Sequence, residues 1–260
     1  MMNATQLNAV VLGQATDSIP LLILHGWGQS LDAMRPLGER LAWHRQVHVL
    51  DLPGFGQSPW SGGDWDTRDY ARCVLAYLDR VGLAQVDLLG HSFGGRIGLR
   101  IASEWPERLR RLVLMDAAGL PRRRTLLQHM RILGIRTLGR GIRLLPTAWS
   151  RPLNSWHRQR YGSRDYQNAG VLRGTFVKVV NEDQTANTAL IQAPTLVLWG
   201  ARDQETPVEM AHRFGQLIPH SEVVVLPEQD HFPFAGNGVH ACAQIIGDFL
   251  LASAPLSSQD

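Results

Sequence analysis

The feature that most constrains this chain is a series of short, nearly unbroken Val/Leu/Ile runs separated by stretches of helical periodicity. The runs are Ala9–Leu12, Leu21–Leu24, Val47–Leu50, Val86–Leu89, Leu112–Met115, Leu196–Trp199 and Val223–Leu226. Each is strand-sized, and most lack the in–out alternation of a sheet with one wet face. Strands buried on both faces need helices on both sides, and parallel pairing needs crossover segments between them. The predicted fold class is therefore α/β, with a mostly parallel, doubly wound sheet. The crossovers are legible too. Tyr70, Val74, Tyr77, Leu78 and Val81 share one helical face, and Gly82 supplies the stop. Val239, Cys242, Ile245, Ile246, Phe249 and Leu250 form a second stripe, and Ala211, Phe214 and Leu217 a third.

The strand–helix rhythm breaks between Leu120 and Ile191. Leu126, Leu127, Met130, Leu133 and Leu138 keep a helical spacing, and Gly134, Gly139, Gly141 and Pro146 are expected to cut the stretch into short helices. The expected organisation is a core of residues 1–118 and 191–260, with residues 119–190 inserted as a helical cap. The formal charge of +3 hides an asymmetry: residues 119–190 carry 13 Lys/Arg against 3 Asp/Glu, leaving 13 against 20 for the remainder. Arg122, Arg123, Arg124, Arg131, Arg136, Arg140 and Arg143 lie among Leu, Ile and Met, a basic amphipathic pattern. The plainest expectation is a solvated outer face whose apolar side closes a tunnel. The functional alternatives are docking of an acidic carrier protein, of a carboxylate-bearing substrate, or of an anionic membrane surface. With no recognition motif beside the charge, nucleic acid is not an expected partner.

Composition excludes other classes. Apolar residues make up 44% and charged residues 19% of 260, an ordinary globular balance. No apolar run is long enough to span a bilayer, and Met1 to Leu12 lacks the basic start and long apolar segment of a targeting signal. Cys73 and Cys242, the two cysteines, fall in separate helical patterns; no disulfide framework is implied, and a reducing cytoplasm is expected. Neither metal-ligand spacing nor a phosphate-binding glycine loop occurs, since Gly62-Gly63 and Gly94-Gly95 lack a following Lys-Ser/Thr. No metal and no cofactor are expected.

The chemistry centres on Gly90-His91-Ser92-Phe93-Gly94-Gly95, set between the strand Val86–Leu89 and a helical pattern ending before Pro106. This is G-x-S-x-G in its strand–turn–helix setting. A sharp turn lifts the Ser92 hydroxyl clear of the sheet, small neighbours let strand and helix approach, and the helix N-terminus favours developing negative charge. A serine hydroxyl needs a base. Among ten histidines, His231 follows the end of the last strand and projects over the same sheet edge as Ser92. His212, His220 and His240 read as solvated, His129 and His157 belong to the insert, and His44 and His48 flank an early strand. The acid that orients the histidine should follow another strand, and Asp203 after Thr195–Trp199 fits; Asp116 is the runner-up, and Asp230 is expected to point elsewhere. The oxyanion donors expected are the backbone N–H groups of Phe93 and Trp27. His25 reads as a hydrogen-bonding support for the Trp27 loop.

The chain order Ser92, Asp203, His231 resembles that of α/β-hydrolases. So do His25-Gly26, the segment from Asp51 to Ser58, and Trp199-Gly200-Ala201-Arg202-Asp203, across nearly the whole chain. Leu24 to Gly28 together with Asp51 to Ser58 is similar to pimeloyl-acyl-carrier-protein methyl ester esterases, although His91 stands where those typically carry tryptophan. The resemblance implies a mostly parallel sheet, a cap over the site and no cofactor. Ser92 sets the chain apart from dehalogenase and epoxide-hydrolase relatives, which use aspartate. The expected function is hydrolysis of small carboxylic esters through an acyl-enzyme. The alternatives are carbon–carbon hydrolysis of a ring-fission diketone, for which the tryptophan after the histidine is missing (Phe232 follows His231), and a non-enzymatic binding module on the same fold.

Overall fold

The computed structural model describes residues 6–123, 126–144, 149, 151–153 and 164–252. Seven strands form one sheet: β1 Ala9–Leu12, β2 Leu21–Leu24, β3 Val47–Leu50, β4 Val86–His91, β5 Leu109–Met115, β6 Thr195–Gly200 and β7 Ser221–Leu226. Their spatial order is β1-β3-β2-β4-β5-β6-β7. Only β1 runs antiparallel to its neighbour β3; every other pairing is parallel. All seven predicted runs become strands. The later ones lengthen beyond their apolar cores because polar residues join the ladder. Arg111, for example, lies in β5 with its guanidinium satisfied by the Phe249 and Ala252 carbonyls.

The helices are α1 Leu31–Leu41, α2 Thr67–Arg80, α3 Phe93–Glu104, α4 Leu126–Arg143, α5 Arg164–Asn168, α6 Arg173–Asn181, α7 Thr185–Thr188, α8 Glu209–Leu217 and α9 Gly238–Leu251. Asp66 caps α2: its carboxylate accepts the Arg68 and Asp69 N–H groups, and Asp69 reaches back to the Asp66 N–H. Strand periodicity splits the core into two layers. Leu22, Leu24, Leu88, Leu112, Leu114, Val197 and Trp199 face α2, α3 and α8. Leu21, Ile23, Leu89, Val113, Met115, Leu196 and Leu198 face α1 and α9. Each fully buried Leu or Ile contributes about 1.5–3 kcal/mol of transfer free energy, so neither face of the central strands can be exposed cheaply.

At the edge of the sheet opposite the strand C-termini, Asp87 of β4 is fully buried and accepts from Arg45 Nη1 at 2.7 Å and Arg110 Nε at 2.8 Å. The second residue of the fourth apolar run is thus an acid held by two cations.

Between β5 and β6 the structure corrects two expectations. Gly134, Gly139 and Gly141 do not cut the insert; they lie inside the 18-residue helix α4. An interior glycine costs about 1 kcal/mol relative to alanine, which is too little to break an 18-residue helix. Pro146 lies outside the described residues, as do the side chains of Leu126 and Leu127. Nor do all the apolar positions of α4 turn inward: among its described side chains Met130, Leu133 and Leu138 are 62%, 59% and 44% exposed, while Ile142 is buried. Among the described residues no strand interrupts this segment, and no helix is long and apolar enough to cross a membrane.

Parallel pairing of β2, β4, β5, β6 and β7 brings their C-terminal ends to one edge. The loops after Leu24, His91, Met115, Gly200 and Leu226 therefore meet there, as in other open α/β sheets that bind ligands beyond the strand ends.

Candidate active site

Ser92 leaves the end of β4 at φ +49°, ψ −106° and caps α3. For a non-glycine residue this conformation costs on the order of 1–3 kcal/mol and persists only when its surroundings fix it. They do. The Ser92 N–H donates to Met115 O at 3.1 Å, the Ala118 N–H to Ser92 O at 3.0 Å, and the Gly94 N–H to His25 O at 3.1 Å. The glycines are required by contact: a Cβ on Gly94 would strike the Leu24 carbonyl, and one on Gly90 would strike the Gly94 backbone.

The three side chains singled out in the sequence meet here. His231 Nε2 lies 3.1 Å from Ser92 Oγ, and His231 Nδ1 lies 2.7 Å from Asp203 Oδ2. Asp203 is held in turn: its Oδ1 accepts the N–H groups of Glu205 and Thr206 at 2.7 and 2.9 Å, and its Oδ2 accepts the Thr206 hydroxyl at 2.6 Å. Burial opposes charge on Asp203, but the hydrogen bonds from His231 and Thr206 outweigh it and hold the carboxyl below its usual range. An ionised Asp203 fixes the imidazole proton on Nδ1. The Nε2 lone pair then faces the Ser92 hydroxyl, the arrangement a general base requires.

Trp27 and Phe93 flank the serine. Their rings pack edge to face at 5.2 Å, and among the described residues neither backbone N–H donates to a protein acceptor. Phe55 and Phe176 of α6 each lie 5.0 Å from the Trp27 ring, so the wall beside Ser92 is aromatic. Helix α6, between β5 and β6, therefore borders the site through Phe176.

His25 supports the Trp27 loop as expected. Its Nδ1–H donates to Gly26 O at 2.7 Å, and its Nε2 accepts the Leu52 N–H at 3.0 Å. Burial lowers its pKa, and because its Nε2 lone pair is already taken by the Leu52 N–H it is no second base. Asp51 completes the brace by accepting from Leu31 N, Gln57 N and Asn8 Nδ2. That accounts for the Asp51–Ser58 segment as architecture.

Three supporting residues escaped the sequence reading. Thr206 clamps Asp203; its signal was an acid followed three residues later by threonine, a capping-type turn. His91, the variable position of G-x-S-x-G, donates Nε2–H to His231 O at 2.8 Å, and burial together with His231 pushes its pKa down to about 3. Gln29 Oε1 accepts the Gly26 N–H at 2.9 Å; no local pattern announced it. The runner-up acid, Asp116, is fully buried behind Asp203. Its Oδ1 accepts the Gly200 N–H at 2.9 Å, and its Oδ2 has no hydrogen-bond partner. Burial raises its pKa far above the carboxylate range, against the Gly200 N–H and reinforced by Asp203, which favours the neutral acid. Asp230 points away, its Oδ1 accepting the Phe232 N–H.

The other histidines divide as expected, with one correction. His212, His220, His240 and His44 are exposed. His48 lies within β3 rather than beside it, 2.7 Å from the Tyr77 hydroxyl. The side chain of His129, and His157 altogether, lie outside the described residues. One cluster among the described residues has metal-ligand types close together: Asp116, Asp203 and His231, with donor atoms within 4.8 Å of one another. Asp203 and His231 already direct those atoms at each other.

A held nucleophile, a base with an open lone pair and two uncommitted amides can together perform acyl transfer. Comparison with known proteins shows the fold family. Residues 19–237 match the alpha/beta hydrolase fold family, and the chain belongs to it. The chain is 30% identical over 222 residues to the dihydrolipoyllysine-residue acetyltransferase component of the acetoin cleaving system of Pseudomonas putida, covering 82% of this chain and 58% of that one. It is 27% identical to the pimeloyl-[acyl-carrier protein] methyl ester esterase of Shewanella woodyi, covering 90% of this chain and 94% of the relative. Over 105 residues it is 40% identical to the 2-hydroxymuconate semialdehyde hydrolase of Pseudomonas sp. (strain CF600), covering 39% and 37%. The chain thus spans only part of the first and third of these relatives.

Proposed function

We propose that this protein is a serine hydrolase that cleaves small carboxylic esters. The observation that carries the reading is the continuous hydrogen-bond chain from Ser92 through His231 to Asp203. In this mechanism His231 Nε2 takes the Ser92 proton as Oγ attacks the ester carbonyl. The Trp27 and Phe93 amides receive the oxyanion, and Asp203 stabilises the imidazolium. Collapse expels the alcohol, which takes its proton from His231, and leaves an acyl-enzyme. Water, deprotonated by His231, then attacks that ester, and Ser92 Oγ departs taking the proton back from His231 as the acid is released.

The test is turnover of a short p-nitrophenyl ester series by the wild type and by Ser92→Ala. Loss of several orders of magnitude in kcat is expected, and a variant of undiminished activity would end the proposal. The second reading is carbon–carbon hydrolysis of a ring-fission dienoate by the same residues, favoured by the similarity to a 2-hydroxymuconate semialdehyde hydrolase. Faster turnover of such a dienoate than of any ester would select it.

The remaining assignments rest on the same reading. Residues 119–190 act as a cap on a core of 1–118 and 191–260, supported by the position of Phe176 against the Trp27 ring. An acidic partner, carrier protein or anionic surface, docks on that basic cap. Two buried free cysteines support a reducing compartment such as the cytoplasm.

A further inference from the structure

Helix α4 carries apolar residues on its solvent side as well as its buried one. A helix of a water-soluble domain turns its apolar stripe inward, yet Met130, Leu133, Thr137 and Gly141, at spacings of three and four, and Leu144 just past the helix end all face solvent. Leu144 is 88% exposed, and Trp149, a few residues on, is 70% exposed. Ile142, on the other side, is buried. From Gly119 to Arg164 the sequence holds 11 arginines and no acidic residue, and Arg122, Arg123, Arg140 and Arg151 are exposed.

We propose that this face is a docking surface for an anionic lipid bilayer, on which α4 lies in the interfacial plane. Each element of the surface fits that occupant. Leu, Met and Trp enter the acyl–headgroup boundary, and the exposed Arg140 and Arg151 meet anionic headgroups. A second copy of the chain is a poor occupant, because two faces of the same strong positive charge repel. An acidic protein would satisfy the charge but gives no separate reason for a solvent-facing stripe of Met and Leu. Peripheral binding agrees with the lack, among the described residues, of any membrane-spanning helix. The inference does not depend on which bond Ser92 attacks.

The experiment is flotation of the full chain with vesicles of neutral phosphatidylcholine or of phosphatidylcholine mixed with phosphatidylglycerol, at low and high salt. The wild type should float with the anionic vesicles only, less so at high salt. Leu133→Glu combined with Leu144→Glu should weaken flotation at least about 10-fold, since each leucine loses its apolar burial and gains a repelled charge. Turnover of a soluble short ester, measured in parallel, should stay at the wild-type level in that variant. This separates loss of docking from loss of fold or of the hydrolytic reading. Three results would overturn the proposal: no flotation on anionic vesicles; flotation that the double substitution leaves unchanged; or capture by a soluble acidic carrier protein without flotation.

Discussion

Replacing Asp203 with asparagine probes the site most sharply, because the surrounding hydrogen bonds dictate how the amide must sit. The two backbone donors at Oδ1, from Glu205 and Thr206, lie at 2.7 and 2.9 Å and can be met only by the amide oxygen. The NH2 group is thereby placed at the Oδ2 position, 2.7 Å from His231 Nδ1. A donor there removes the acceptor for the Nδ1 proton and drives the ring to carry its proton on Nε2. His231 then presents N–H rather than a lone pair to Ser92 Oγ at 3.1 Å, and base catalysis stops. The loss for an orienting aspartate replaced in this way is about 10⁴ in kcat, roughly 5–6 kcal/mol of transition-state stabilisation. Steady-state turnover of a p-nitrophenyl ester reads it directly. KM should change little, because Asp203 lies behind the histidine. A loss of less than about tenfold in kcat would refute the reasoning, and so would a large rise in KM with kcat retained.

Two further outcomes concern stability. Asp87→Ala leaves Arg45 and Arg110 without their shared carboxylate at the buried edge of the sheet; removing one member of such a cluster costs about 3–5 kcal/mol. Thermal unfolding should show Tm lower by roughly 10 °C, and a change within a degree or two would mean that the arginines find other acceptors. Asp116 is raised in the fold, so its contribution is fully present below the ordinary carboxylate pKa and is lost as pH rises through the raised value. Asp116→Asn, which cannot ionise, should gain on the wild type in Tm as pH increases from acid to alkaline; a difference constant across pH would contradict the assignment of Asp116 as a neutral acid.

Much of this was legible in the sequence, and the reasons for what was not are physical. The strands could be read because burial on both faces forces continuous Val/Leu/Ile runs. Ser92 could be read because the close approaches at Gly90 and Gly94 admit no side chain. His231 and Asp203 followed from topology, since parallel strands deliver their C-terminal loops to one edge. The supporting contacts could not be read that way. His91 meets His231 O across 140 residues of sequence, a contact created only by tertiary packing. Helix α4 misled because spacing reports periodicity and not direction: Met130, Leu133 and Leu138 have the pattern of a buried face and stand in solvent. The glycines of α4 misled because a modest propensity cost was taken for a break.

The central claim is that Ser92 is a nucleophile activated in place by His231. Labelling the folded protein with a fluorophosphonate and mapping the adduct by mass spectrometry tests it most directly. One phosphonylated residue, Ser92, should be found, with labelling abolished in Ser92→Ala and slowed by orders of magnitude in His231→Ala. An unreactive Ser92 in the folded wild type, or an adduct on another residue, would contradict the claim and leave a binding module on a hydrolase fold.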